Sequence, residues 1–316
     1  DTKTPPSASV MDRIYSMAVA ATHEYSYLKG NPRLLEDLYY ALKIVNKYWV
    51  GTNSHYRHLE SWWWQIGFSS TYGRVCAMLY DYYEYDKLAE IAQDFVDSQP
   101  NDYVFYEMAG FVQVATGMAC MGAILKREDL IRAYPEIAFA DVQVKSAPDE
   151  TKNGFFVDGS MIYHGGHPWI SGYGLQIISY YAEAFTLLKD TPFVFESEKV
   201  KIFAETVVKE TVFPLMQDML MPSFTNGRHM AQEYCDYGAG YKILIALADL
   251  TYAVLDEPLK TETLQRIKAK IESYNLVSKD EWKRWSNNDS LFVLMEDDSI
   301  IPSDPPIIKN KVYRFM

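Results

Sequence analysis

Basic residues are in short supply in this 316-residue chain: 30 Lys and Arg stand against 42 Asp and Glu, a formal net charge of -12. Such a chain repels phosphate as a whole, which argues against nucleic acid or an anionic membrane as its main partner and leaves only local basic sites to hold an anion. Long hydrophobic runs are missing too. The densest stretch, Val112 to Leu125, is broken by Gln113, Thr116 and Gly117, and falls short of the roughly 18 apolar residues that cross a bilayer, so no transmembrane segment is expected. Cysteine is scarce. Cys76, Cys120 and Cys235 are far apart and lack a C-x-x-C spacing, which argues against a zinc site or redox pair; they read as small core residues and leave the compartment open. The chain begins at Asp1 with no basic stretch followed by an apolar one, so a signal peptide is expected to be absent or already removed. Gly238-Ala239-Gly240 lacks the spacing and the lysine of a phosphate loop, and no serine nucleophile elbow occurs.

What the sequence has in quantity is apolar surface at helical spacing. With 48% hydrophobic residues it can bury one large core or two ordinary ones, as a soluble globular protein does. Asn31-Pro32 reads as an N-cap followed by proline at the first helical position, and Leu34, Leu38, Leu42, Val45 and Trp49 mark one apolar face beyond it. A second helix runs from Tyr173 through Leu175, Ile178, Ala182, Phe185 and Leu188. A third carries Val200, Phe203, Val207 and Val208 until Pro214 stops it. Further helices fit Met11 to Tyr27, Tyr72 to Tyr85, Val112 to Leu125, Lys242 to Leu255 and Thr263 to Ser273. Short connections between amphipathic helices imply antiparallel neighbours, hence a stack or ring of helical hairpins. The helical period fades between Lys126 and Ser160. Leu291 to Met295 reads as a short strand, and Ile300 to Pro306 as a Pro/Asp-rich linker.

Three segments carry residues suited to chemistry. Asp158 to Gly174 concentrates His164, His167, Tyr163, Tyr173 and Trp169 among glycines. Glycine lets a backbone approach a ligand closely, and His and Tyr are readily recruited to proton transfer; the alternative is a Gly-rich turn whose aromatics pack on the next helix. Trp62-Trp63-Trp64 cannot all face one core if they lie on a helix, so at least one is exposed or lines a cavity, where it suits the face of a sugar ring or a neighbouring helix. Asn226 to Gln232 is a polar turn that sets Arg228 beside Gly227; arginine clamps carboxylates and sulfates, and a solvated surface arginine is the alternative. His55 and His58 lack a third ligand for a metal. The sequon Asn288-Asp289-Ser290 is a weak pointer to secretion.

Together these segments resemble the helical catalytic domain of polysaccharide lyase family 8, which holds hyaluronate, chondroitin AC and xanthan lyases. Its Asp-Gly-Ser-Phe-x-x-His stretch, followed nine residues later by a Tyr within Gly-x-Tyr-Gly, is similar to Asp158-Gly159-Ser160-Met161 leading to His164, and to Tyr173 within Gly172-Tyr173-Gly174. Its Asn-Trp-Trp patch resembles Trp62 to Gly67 without the Asn, and its Arg-Gly-Arg-x-Ile-Ser-Arg turn resembles Asn226 to Gln232 with Arg228 at the central arginine. Arg13 to Ala18, Gly30-Asn31-Pro32 and Lys311 to Met316 resemble the family's early helix, its Gly-Asn-Pro turn and the lead-in to its β-domain.

The resemblance implies an all-α fold, an incomplete α/α toroid over residues 1–286, with 287–316 as linker toward a β-sandwich region after Met316. It also implies a secreted or surface-exposed lyase that cleaves a uronate-containing acidic polysaccharide by β-elimination, with no metal or organic cofactor. Tyr173 would move the proton, His164 assist as base or orient substrate, and Arg228 hold the phenolate or the acidic sugar. Trp62, Trp63 and Trp64 would stack on sugar rings, with Gln113, Asn226 and Gln232 lining the site. Departures are visible: the family's carboxylate-binding Asn falls at about Gly110, with Gln113 one turn later as the nearest amide, and the last arginine of the turn is Gln232. The family's catalytic Glu has no assignable counterpart. A lyase-derived glycan-binding or structural protein of an envelope or secretion is therefore the alternative, and a glycoside hydrolase would need a partner for Asp158 or Glu107.

Overall fold

The computed structural model describes residues 6–50, 66–99, 109–133, 144–146, 153–194, 198–231, 237–273 and 289–307. The chain divides into two compact units, Asp1–Ala140 and Asp141–Met316. Trp62, Trp63, Trp64, His55, His58, Glu107, Gln232, Cys235 and Asn288 lie outside the described residues.

The first unit is helical: α1 (Pro6–Thr22), α2 (Pro32–Tyr48), α3 (Phe68–Met78), α4 (Tyr85–Ser98) and α5 (Ala109–Leu125). The start of α2 is as expected. Asn31 Oδ1 accepts the Leu34 N–H at 3.0 Å and Pro32 occupies the first turn, while Leu38, Leu42 and Val45 are buried in one core with Tyr72, Phe95 and Met121. Tyr72 stacks on Phe95 at 4.9 Å between ring centroids. Lys43 ties α2 to α4 through Glu90 at 2.8 Å and Asp94 at 2.7 Å, both exposed enough to add little stability.

Two helices differ from their expected spans. α1 ends at Thr22 rather than Tyr27, because His23 and Ser26 side chains accept the N–H groups of Tyr25 and Leu28, and the exposed Tyr25 and Tyr27 have no core to bury in. The helix expected over Tyr72 to Tyr85 is two elements. α3 stops at Met78, and Tyr82 and Tyr83 donate their hydroxyls to the carbonyls of Thr22 and Leu35 instead of continuing it. α4 then buries Leu88, Ile91, Ala92 and Phe95 at helical spacing.

The second unit begins with a small antiparallel sheet in the order β1 (Gly154–Phe155), β2 (Met161–Tyr163), β3 (His167–Pro168). The segment expected as a Gly-rich loop is thus a pair of tight hairpins within a mainly helical chain. A π-helical turn, Ile170–Gly174, leads into α6 (Leu175–Leu188); α7 (Glu198–Thr206) likewise widens into a π turn, Val207–Val212. α8 (Tyr237–Val254), α9 (Leu259–Ser273) and α10 (Asp289–Glu296) follow. Phe155 of β1 meets Phe203 of α7 edge-on at 5.2 Å, and Tyr181 of α6 meets the same ring at 5.9 Å, which fixes the sheet on the helices. The strand expected over Leu291 to Met295 is a helix. Leu291 and Leu294 are buried three apart while Val293 is exposed, a period that a strand cannot present, and a five-residue apolar run does not distinguish the two by itself.

After α10 the chain is extended and held against α9. Asp304 pairs with Arg266 at 2.6 Å and with Lys270 at 2.9 Å, and the Lys270 side chain is only 4% exposed. Asp304→Ala leaves a buried ammonium with the Met216 carbonyl at 3.5 Å as its remaining partner among the described residues. Its expected cost in a urea titration is roughly 1–3 kcal/mol, below that of a fully buried pair because Asp304 is partly exposed. Adding Lys270→Met should recover much of the loss.

Candidate active site

The strand β2 delivers the first two side chains. Tyr163 is buried, and His164 follows it at φ 50° with its ring exposed, at the start of a turn whose Gly165 N–H is accepted by Asn153 Oδ1 at 3.0 Å. On the other side of the hairpin, the π turn Ile170–Gly174 brings Tyr173 round. A π turn inserts one residue into the helical register and so re-aims the side chains at its end, as such turns often do at functional sites.

The result is a packed aromatic cluster. Tyr173, half-buried, stacks on Tyr163 with 4.1 Å between centroids and 19° between planes. His164 meets it edge-on at 5.1 Å and Trp169 at 4.9 Å. The Arg228 guanidinium lies 5.6 Å from the centre of the Trp169 ring, and His229 approaches the same indole at 6.0 Å. His164, Tyr173 and Arg228, nominated from segments up to 64 residues apart, therefore gather around one tryptophan. The sequence places Tyr163 and Trp169 in the candidate segment and His229 in the arginine turn, but assigns none of the three a role. Tryptophan flanked by glycines was the visible signal for Trp169.

Those glycines are spatially required. A Cβ on Gly172 or on Gly227 would overlap the Trp169 indole, and Gly227 also has φ 53°, which L side chains rarely adopt. The two turns are stitched by Ser171 and Thr225. The Thr225 hydroxyl donates to Pro222 O at 2.7 Å, so Ser171 Oγ is the donor in the 2.7 Å bond between the two side chains. Asn226 is 1% exposed, and neither its amide oxygen nor its nitrogen has a partner among the described residues. Gln113 belongs to the first unit, buried on α5 one turn after Gly110, and Gln232 falls just beyond the described part of the Arg228 turn.

Burial, with the Arg228 guanidinium second, holds the His229 imidazole below the ordinary histidine value. The folded chain then binds fewer protons at this position than the unfolded chain does. Stability is therefore retained above about pH 6.5 and lost as pH falls from there through the lower folded value. Thermal melts of the wild type and His229→Gln between about pH 7.5 and 5.5 should show a shallower acid loss in the variant.

The family model described as polysaccharide lyase family 8, N terminal alpha-helical domain, matches residues 1–272. The chain belongs to polysaccharide lyase family 8. Among its relatives are the xanthan lyase of Bacillus sp. (strain GL1), 24% identical over 248 residues, and the hyaluronate lyase of Staphylococcus aureus (strain NCTC 8325 / PS 47), 26% identical over 161 residues. These alignments take in 77% and 49% of this chain but 26% and 19% of the respective relatives, so the chain spans a minor part of their length. The solved Streptomyces coelicolor A3 chondroitin AC lyase, in complex with chondroitin sulphate, superposes with a TM-score of 0.79 at 19% identity, over 97% of this chain and 42% of that one. That likeness establishes the fold of the lyase family's helical domain. Among the described residues no helix is long and apolar enough to cross a membrane.

Proposed function

We propose that this family 8 domain cleaves a uronate-containing acidic glycan of the hyaluronan or chondroitin type by β-elimination. The observation that supports it best is the cluster itself: a phenol, an imidazole and a guanidinium assembled on one indole. The chemistry needs those groups. The C5–H of a uronate is weakly acidic because the adjacent carboxylate carries a full charge; pairing that carboxylate with a cation lets negative charge spread from C5 in the transition state. Arg228 supplies the cation. Tyr173 takes the C5 proton as phenolate and returns it, as phenol, to the departing glycosidic oxygen, while His164 assists as base and orients the sugar. The C5–H and C4–O bonds break and a C4–C5 double bond forms. No cofactor takes part. Trp62, Trp63 and Trp64 stack on neighbouring rings, and Gln113 and Gln232 supply amides where the family pattern has Asn and Arg. Asn226 offers a sugar hydroxyl a buried amide that has no partner among the described residues.

Polymers of this kind do not cross membranes, so we place the activity outside the cell or at a surface. A β-sandwich region following Met316 is the proposed partner of the helical domain, in keeping with the greater length of the relatives. Elimination and hydrolysis are separated by digesting hyaluronan or chondroitin in heavy-oxygen water. Unlabelled products one water lighter than hydrolysis products support elimination, and label at the cleaved bond contradicts it.

A second reading, a glycan-binding protein that has lost catalysis, is favoured by Gly110, which offers no side chain at the position of the family's carboxylate-binding Asn, and by Gln232 in place of an arginine. Binding without any product would select it.

A further inference from the structure

We propose that Trp169 is the positioning residue of this site: a fixed indole shelf that sets the Arg228 guanidinium for a uronate carboxylate and keeps it in register with Tyr173. The inference rests on the lyase reading for its chemistry, and on the following geometry for its mechanism.

Arg228 stands on a short 3-10 segment, Gly227–Ala231, with its side chain exposed. Among the described residues it forms no ion pair and no hydrogen bond; its recorded contact is the face of Trp169. An arginine side chain free in water carries rotamer entropy that a carboxylate must overcome on binding. Holding the guanidinium beforehand with a carboxylate partner would spend its charge and its donors. An aromatic face holds the cation through the ring quadrupole and leaves the in-plane N–H groups for the ligand. The shelf orients Arg228 without neutralising it.

The shelf itself is rigid. Trp169 is 5% exposed, pinched between Gly172 and Gly227, and in edge contact with Tyr173 at 4.9 Å and His229 at 6.0 Å. The same ring thus bears both the carboxylate clamp and the proton-transfer phenol. In a uronate, the carboxylate carbon and C5 are bonded neighbours, so the two protein groups must keep a fixed relation, and a common support is the simplest way to enforce it. The burial of the Trp169 Nε1–H, which has no acceptor among the described residues, makes phenylalanine a clean probe. Trp169→Phe deletes an unsatisfied donor along with part of the ring, and the two effects on stability oppose each other.

The test is a binding cycle on the whole protein, independent of turnover. Affinities for a hyaluronan oligosaccharide and for its carboxyl-reduced, neutral counterpart are measured with the wild type, Trp169→Phe, Arg228→Gln and the double variant. The proposal expects Trp169→Phe to weaken binding of the acidic oligosaccharide roughly tenfold, to leave the neutral one nearly unchanged, and to cause little further loss when Arg228 is already Gln. Equal losses for both oligosaccharides, or losses that add fully to those of Arg228→Gln, would overturn it. If the wild type itself shows no preference for the acidic oligosaccharide, the lyase reading fails first and this inference goes with it. Should Trp169→Phe not fold, Trp169→Tyr, which keeps a flat ring in the slot, is put through the same comparison with the same criteria.

Discussion

Tyr173→Phe is expected to lower kcat on the polymeric substrate by at least about a thousandfold while shifting stability by less than about 1 kcal/mol. The two halves of this prediction have separate physical origins. In the proposed elimination the hydroxyl is the atom through which the C5 proton leaves and the glycosidic oxygen is protonated, so its loss would remove a general base and a general acid together. The ring stays. Its stacking on Tyr163 at 4.1 Å and its edge contacts with His164 and Trp169 depend on the aromatic face and edge, both of which phenylalanine retains. KM should change less than kcat, because the proton-transfer interaction is made in the transition state. A variant that keeps wild-type turnover would remove Tyr173 from the mechanism.

Gly240→Ala carries the largest expected loss of stability. In a free helix this exchange is favourable by up to about 1 kcal/mol, since alanine restricts the unfolded chain and glycine does not. Here an added Cβ would overlap the carbonyl of Met219, a backbone atom held by the Gln217–Leu220 bridge. No side-chain rotation relieves that overlap, so α8 must move away from the turn it packs on. Leu244, Leu247 and Leu250 of α8 are fully buried, and a shift of the helix disturbs each of them. We expect a net loss on the order of 3 kcal/mol, read as a lowered midpoint in urea. Gly30→Ala is the informative contrast. With φ 69° and open space around it, that position should cost only about 1 kcal/mol.

The helical character was legible wherever apolar spacing and a chain-local signal agreed. The Asn31-Pro32 cap shows this, because the capping bond is made within one turn of chain. Elements whose boundaries depend on distant partners were not legible. α3 stops and α4 starts where the hydroxyls of Tyr82 and Tyr83 reach carbonyls of Thr22 and Leu35, and no local pattern announces that. The hairpins of residues 154–168 were hidden for a related reason: strands of two or three residues are too short to show alternation, and glycines that set their turns look like any loop. The candidate site divides in the same way. His164, Tyr173 and Arg228 were reached through motifs, whereas Trp169, Tyr163 and His229 count through ring contacts that only the folded chain creates. The twin glycines Gly172 and Gly227 make sense once the indole between them is seen.

The central proposal is that Tyr173, packed on the Trp169 ring that also carries Arg228, breaks a uronate C5–H bond. The most direct test follows ultraviolet absorbance of the conjugated unsaturated uronate, with hyaluronan and chondroitin as substrates, for the whole protein and its Tyr173→Phe form. The account predicts a steady rise in the wild type that the variant abolishes. A rise of equal rate in both, or polymer shortening with no absorbance at all, would contradict it.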